Sequence, residues 1–143
     1  MTAKAVPVPT PETQRFWDGT RDDELWIQRC DSCGSAYFYP RPSCPRCGSE
    51  DVAWMRASGR ARLYSYVISY LPAPGFEDDV PYVIAIVELV EGPRMMTNIV
   101  GVDPDPDRLV LDMPLRVRFT QRGEVSLPMF APAAENQGKQ EAS

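Results

Sequence analysis

The chain contains no histidine. Every mechanism that uses imidazole as base, acid or metal ligand is therefore closed within these 143 residues. Long apolar runs are missing as well: no stretch approaches the ~20 residues that a helix needs to span a bilayer. Residues 1–11 lack the apolar centre of a secretory signal. From these two absences a cytoplasmic, non-membrane protein is expected. Positive charge is in deficit, with Lys+Arg 15 against Asp+Glu 20 and a net charge of −5. That balance weighs against a general binder of phosphate backbones, although a local basic patch is compatible with it. Without histidine, only Asp, Glu, Tyr and Lys could act as acid or base, and they form no recognisable constellation. No catalytic residue is assigned.

Cysteine is scarce but ordered. The four present fall into two C-x-x-C knuckles, Cys30-Asp31-Ser32-Cys33 and Cys44-Pro45-Arg46-Cys47, each followed directly by a glycine, Gly34 and Gly48. Thiolates at i and i+3 around a tight turn converge on one point. Glycine allows the turn a positive φ that aims backbone amides at the sulfurs. Two such knuckles supply four soft anionic ligands in a tetrahedron, the donor set of a closed structural Zn2+ site. Two disulfides would require an oxidising compartment. A redox-active C-x-x-C belongs at a helix start after a strand, whereas these pairs lie among Pro, Gly and Ser. Iron in a rubredoxin-type site would use the same four ligands. With every position filled by protein, no site is left for water or substrate, so the metal's role is structural. A zinc tetrathiolate would take the net charge to about −7.

The rest of the chain reads as strands and turns, in keeping with its 15 prolines. Residues 1–24 form an arm and a short helix. Thr10 caps it, Pro11 takes the first helical position, and it runs to about Trp17 and stops at Asp18-Gly19. Phe16 and Trp17 must bury against the ribbon, the barrel or a partner, since so short a helix cannot bury them alone. Residues 25–57 form the zinc ribbon, with a strand at 25–28 and its hairpin mate at 37–40. Residues 58–130 hold five strands. In 60–71 the alternation puts Tyr64, Tyr66, Ile68 and Tyr70 on one face and Leu63, Val67 and Leu71 on the other. Residues 82–89 are almost continuously apolar, as in a strand covered on both sides. Strands at 94–100, 115–119 and 125–130 complete the set. Five strands with a long interruption before the fourth fit an OB-type barrel, which also removes the edges of so small a sheet. Residues 131–143 are polar and expected to be disordered. The fold class is mainly β: short helix, rubredoxin-like zinc ribbon, five-stranded barrel.

The order FWDG, LWIQRCDSCG, YPRPSCPRCGS, GRARLYSYVISY, PYVIAIVELVEGPRMMTNIVG and MPLRVRF resembles a family of acyl-CoA-associated proteins. These join a rubredoxin-like zinc ribbon to an OB-fold and were long filed as domain of unknown function thirty-five. The resemblance covers residues 16–130, and Cys30, Cys33, Cys44 and Cys47 fall on the family's metal ligands. It implies an accessory subunit of thiolase-superfamily enzymes, such as thiolases or the lipid-transfer-protein-like aldolases of steroid side-chain degradation. Two copies of each chain around the enzyme's dimer axis, a hetero-tetramer, are implied with it. The bulky residues Phe16, Trp17, Trp26, Tyr37, Phe38 and Tyr39 lie outside the barrel segment, and a thin ribbon is expected to leave some exposed as an interaction patch. An acyl-CoA ligand would call for a local arginine cluster and a stacking ring. Arg56, Arg60, Arg62 and Trp54 at the ribbon–barrel junction, near Arg41 and Arg46, are the candidates, and ordinary surface and junction packing are the alternative. Two other functions stay open: a nucleic-acid-binding OB module and a rubredoxin-like electron carrier.

Overall fold

A computed structural model describes residues 6–133. One helix and eight strands follow in chain order: α1 (Gln14–Arg21), β1 (Leu25–Cys30), β2 (Ala36–Tyr37), β3 (Val52–Ala57), β4 (Arg60–Ser69), β5 (Tyr82–Leu89), β6 (Arg94–Ile99), β7 (Pro114–Arg122) and β8 (Val125–Pro132). The first three strands form an antiparallel sheet in the order β2-β1-β3, and the other five close a barrel in the order β4-β5-β6-β8-β7. All barrel pairings are antiparallel except the one that closes it, where β6 meets β8 in parallel at Ile99 and Phe130. This is the five-stranded OB barrel expected from the strand count.

The helix departs from its expected limits. Thr10 to Thr13 form a hydrogen-bonded turn instead, in which the Thr10 amide donates to Thr13 Oγ1 at 2.9 Å. The helix then starts after Thr13 and runs through Gly19 to Arg21. Gly19 is there for contact, not for termination. A Cβ at this position would lie 2.3 Å from Cδ1 of Trp26, so only glycine lets the helix lie this close to the ribbon. Phe16 and Trp17 are buried in the core shared by helix, ribbon and barrel. Phe16 meets Trp17 and Phe38 edge-on, with ring centroids 4.7 and 5.4 Å apart.

The strands differ from expectation in several places. β3 pairs with β1 over six residues, Leu25 with Ala57 through Cys30 with Val52, where the sequence had suggested only the short hairpin mate at 37–40. That mate shrinks to Ala36–Tyr37. In β4 a bulge between Leu63 and Ser65 flips the alternation. Tyr66 and Ile68 therefore oppose the inward Ala85 and Val83, joining Leu63 inside, while Tyr64 and Val67 face out. β5 is covered on one side only. Val83, Ala85, Val87 and Leu89 are buried in the barrel, and Ile84 and Ile86 on the outer face are half-exposed. β8 continues through Ala131 to Pro132, pairing with Arg116 and Leu115. The expected disordered tail otherwise lies outside the described residues. No described helix is long and apolar enough to cross a membrane.

Candidate metal centre and the surfaces around it

The two knuckles have the same local geometry, which explains how the sequence brings four sulfurs together. In the first, the Gly34 amide donates to the Cys30 carbonyl and the Cys30 amide to the Ser35 carbonyl; in the second, Gly48 donates to Cys44 and Cys44 to Ser49. Both glycines adopt positive φ, +78° and +81°. Amides also point at sulfur, with the Cys33 amide 3.4 Å from Cys30 Sγ and the Arg46 amide 3.3 Å from Cys44 Sγ. The serine hydroxyls of Ser32 and Ser49, 2.9 Å apart, tie one knuckle to the other.

The four Sγ atoms lie within 4.8 Å of one another. Cys30 and Cys47 are 3.5 Å apart, and Cys33 and Cys44 3.8 Å. A tetrahedron with Zn–S bonds of about 2.3 Å has edges of about 3.8 Å, so the sulfurs stand where a zinc ion would hold them. Cys30 and Cys44 are buried, Cys33 and Cys47 exposed. Their proton affinities differ. The Ser35 hydroxyl, together with its amide, holds Cys33 down to about 6. Cys44 is lowered by the backbone amides of Cys47 and Arg46. The Ser49 amide lowers Cys47, but the neighbouring sulfurs of Cys30, Cys33 and Cys44 outweigh it and push it up to about 11. So many thiolates in one place repel each other, and a bound dication relieves that repulsion. The donor set fits zinc in a closed, structural site.

The residues put forward for coenzyme A are placed as follows. Arg56 on β3 faces Trp26 across the ribbon sheet and pairs with Glu24 at 3.6 Å. Arg60 and Arg62 share the outer face of β4, and Arg62 is bound by Glu88 at 2.6 Å and by Asp112. Glu88 also accepts from Arg94 at 3.1 Å, and hydrogen bonds from Arg62 and Arg94 hold its carboxyl below the usual range. Arg94 stacks on the Tyr64 ring at 3.8 Å. Among the described residues Arg60 has no carboxylate partner. Trp54 is partly buried against the core. Arg56 and Arg62 thus belong to separate ion-pair groups.

Of the six bulky residues outside the barrel, Phe16, Trp17 and Tyr37 are buried, Trp26 and Phe38 are half-buried, and only Tyr39 is exposed. The ribbon does not leave them stranded: Phe16, Trp17 and Phe38 pack in the core shared with α1 and the barrel, Arg15 of α1 lies over the Trp26 ring, and Tyr37 is buried among Cys30 and Cys44. Exposed apolar side chains sit instead on the barrel, at Val67 and Met96 among others. The sequence signal for this was the apolar run of β5, which the alternation of Ile84 and Ile86 turns outward.

Residues 17–53 match the family described as "ChsH2, rubredoxin-like zinc ribbon domain", and residues 54–120 match "ChsH2, C-terminal OB-fold domain". The 3-oxo-4,17-pregnadiene-20-carboxyl-CoA hydratase alpha subunit of Mycobacterium tuberculosis is 36% identical over 127 residues, 88% of this chain and 39% of that protein. The chain therefore spans about two fifths of that hydratase subunit. A DUF35 domain-containing scaffold protein of Methanothermobacter thermautotrophicus is 41% identical over 96 residues, 66% of this chain and 72% of that one. Among solved structures, a chain of the Ltp2-ChsH2(DUF35) aldolase superposes with a TM-score of 0.78 at 35% identity, over 90% of this chain and 100% of that one.

Proposed function

This chain belongs to the ChsH2-type DUF35 family of zinc-ribbon and OB-fold proteins, and from that premise we propose that it is a non-catalytic accessory subunit of a thiolase-superfamily enzyme acting on acyl-CoA thioesters. The observation that carries the reading is the likeness, over nearly the whole of both chains, to the DUF35 component of an aldolase complex. The chemistry agrees with it. A closed tetrathiolate leaves the metal no open position, and the sequence has no histidine, so nucleophile and base come from the partner. The hydratase relative acts on a steroid-derived thioester by its name, which makes a steroid side-chain CoA thioester the first substrate to try, with retro-aldol cleavage or thiolysis as the reaction. Two copies of each subunit form the complex, and its place is the cytoplasm.

Direct contact with coenzyme A belongs to the same reading. Arg60 is the first residue to test, because Arg56 and Arg62 already face carboxylates and Trp54 is engaged with the core. Arg60→Ala in the complex should raise KM for the thioester about three- to tenfold while leaving kcat nearly unchanged, as expected for loss of one exposed phosphate contact. An unchanged KM removes Arg60 from the ligand.

The nucleic-acid reading meets a specific obstacle. OB-folds take single strands on the face of their second and third strands, beside the loops that follow the first and fourth. Here that hollow lies between Phe76, Tyr82, Asn98 and Arg122, and Asp79 lines it at the end of the acidic run Glu77-Asp78-Asp79. Among the described lining residues Arg122 is the one cation, set against Asp79 and the acidic run, so a phosphate backbone finds little net counter-charge there. Co-expression with a thiolase-fold enzyme, followed by size-exclusion chromatography, tests the proposal: a stable hetero-complex is expected, whereas a chain that stays alone at micromolar concentration and binds single-stranded DNA refutes it.

A further inference from the structure

We infer that the outer face of β5 and β6, together with the groove beside it, is the surface on which the partner enzyme docks, through an uncharged, apolar segment. This rests on the accessory-subunit reading and adds the place of contact. Strand register defines the face. Ile84 lies between Val67 on β4 and Asn98 on β6, and Ile86 lies between Ser65 and Met96. Val67 is 59% exposed and Met96 69%, so four apolar side chains on three adjacent strands form one block open to solvent. Such contiguous patches mark interaction surfaces, where single exposed side chains do not.

Met96 is also one wall of a groove of about 250 Å3, whose other walls include Trp17 of the helix, Phe38 and Tyr39 of the ribbon, and Leu127 and Met129 of β8. Helix, ribbon and barrel therefore all contribute to it. Its chemistry selects the occupant. No charged side chain lines it among the described residues, in a protein whose surface carries a net −5. Thr97 and Asn98 are its only polar side chains besides the Tyr39 hydroxyl and the Trp17 indole, and Thr97 Oγ1 is already spent on the Pro128 carbonyl at 2.9 Å and the Asn98 amide on the Val83 carbonyl at 2.8 Å. A phosphate-bearing thioester head or a nucleic acid finds no counter-charge there. Nor is the volume enough for a whole cofactor, since sites for drug-sized ligands begin at about 300 Å3. It does suit one or two bulky apolar side chains inserted from a neighbouring subunit. The flexible thioethers of Met95, Met96 and Met129 can adjust to their shape. An anchor in the groove flanked by contact along β5 and β6 would form a buried centre with a rim, the Arg62–Glu88–Arg94 ion pairs supplying the polar edge.

The test uses the full chain and the co-expressed thiolase-fold enzyme. Met96→Glu and Val67→Glu change exposed, outward side chains, so the barrel should keep its melting temperature. Each would bury a carboxylate in the interface and should weaken the complex at least about tenfold. Leu111→Glu, equally exposed but in the loop between β6 and β7, should bind within about twofold of the parent. Independently of any variant, peroxide oxidation followed by peptide mass spectrometry should convert Met96 to the sulfoxide quickly in the free chain and slowly in the complex, with buried Met95 slow in both. A complex that forms normally with both glutamate variants, and in which Met96 oxidises as in the free chain, overturns the docking face and leaves the accessory role standing. Failure of any complex to form overturns both. A dimer of the chain alone that protects Met96 assigns the face to a second copy and overturns the partner assignment.

Discussion

Around the four sulfurs the buried residues are few, Cys30, Tyr37 and Cys44 with Val52 against them. The helix and barrel instead share a core that runs from Phe16 and Leu25 through Leu63, Val87 and Leu115 to Phe130. The knuckles have almost no apolar area to remove from water, so a metal must supply their stability. The barrel has a closed ladder and a packed interior and needs none. Between the two, β1 and β3 belong to the ribbon by topology and to the barrel core by packing, since Leu25, Ile27 and Ala57 lie in the larger cluster. The difference teaches where each region is vulnerable: the ribbon to its ligands, the barrel to its side-chain volumes, and their junction to shape.

The largest effect should come from the ligands. Cys33→Ala, or a strong chelator, removes a coordination position worth a share of the roughly 10–16 kcal/mol with which zinc binds such sites. Hydrogen exchange should then show residues 31–50 losing protection while β4–β6 keep theirs. Equal loss in both regions would mean that the two are one cooperative unit. Phe130→Ala should do the reverse, destabilising the barrel by about 3–5 kcal/mol in denaturant unfolding through the cavity it leaves. Zinc content per folded chain, read by elemental analysis, should stay at one.

A smaller effect probes the junction. Gly19→Ala brings a Cβ to 2.3 Å from the Trp26 ring, so Trp26 must shift and its 2.9 Å hydrogen bond to Glu24 should break. About 1–3 kcal/mol of stability should be lost, as in other overpacked sites, with a change in tryptophan fluorescence to report it. The smallest effect concerns the barrel surface. Glu88 is held below its ordinary pKa by Arg62 and Arg94. Its contribution is therefore present above the ordinary carboxylate range and disappears as pH falls through the lowered value. Glu88→Gln should melt slightly below the parent at pH 7, and the two should converge in acid. A constant gap across pH would point to packing instead of charge.

Much of this was legible in the chain. C-x-x-C-Gly, written twice, fixes ligand identity and turn geometry locally, so the four cysteines and the ribbon could be read directly. The barrel was legible from five alternating segments. The helix start was not, because the Thr10–Thr13 turn uses the same residues as an N-cap. Gly19 read as a stop because its real constraint, the ring of Trp26, lies on another element. The bulge at Tyr64 inverts one face of β4 without any glycine or proline to announce it. The run at 82–89 looked buried on both sides because apolar composition does not say whether the second cover comes from the same chain. The proposed docking face would supply that second cover.

Native mass spectrometry of the chain co-expressed with a thiolase-fold enzyme tests the central claim most directly, since it reads partner, stoichiometry and metal together. The account predicts a hetero-tetramer of two copies of each subunit with one zinc per copy of this chain. A free monomer beside an intact enzyme dimer, or a complex in which this chain carries no metal, would contradict it.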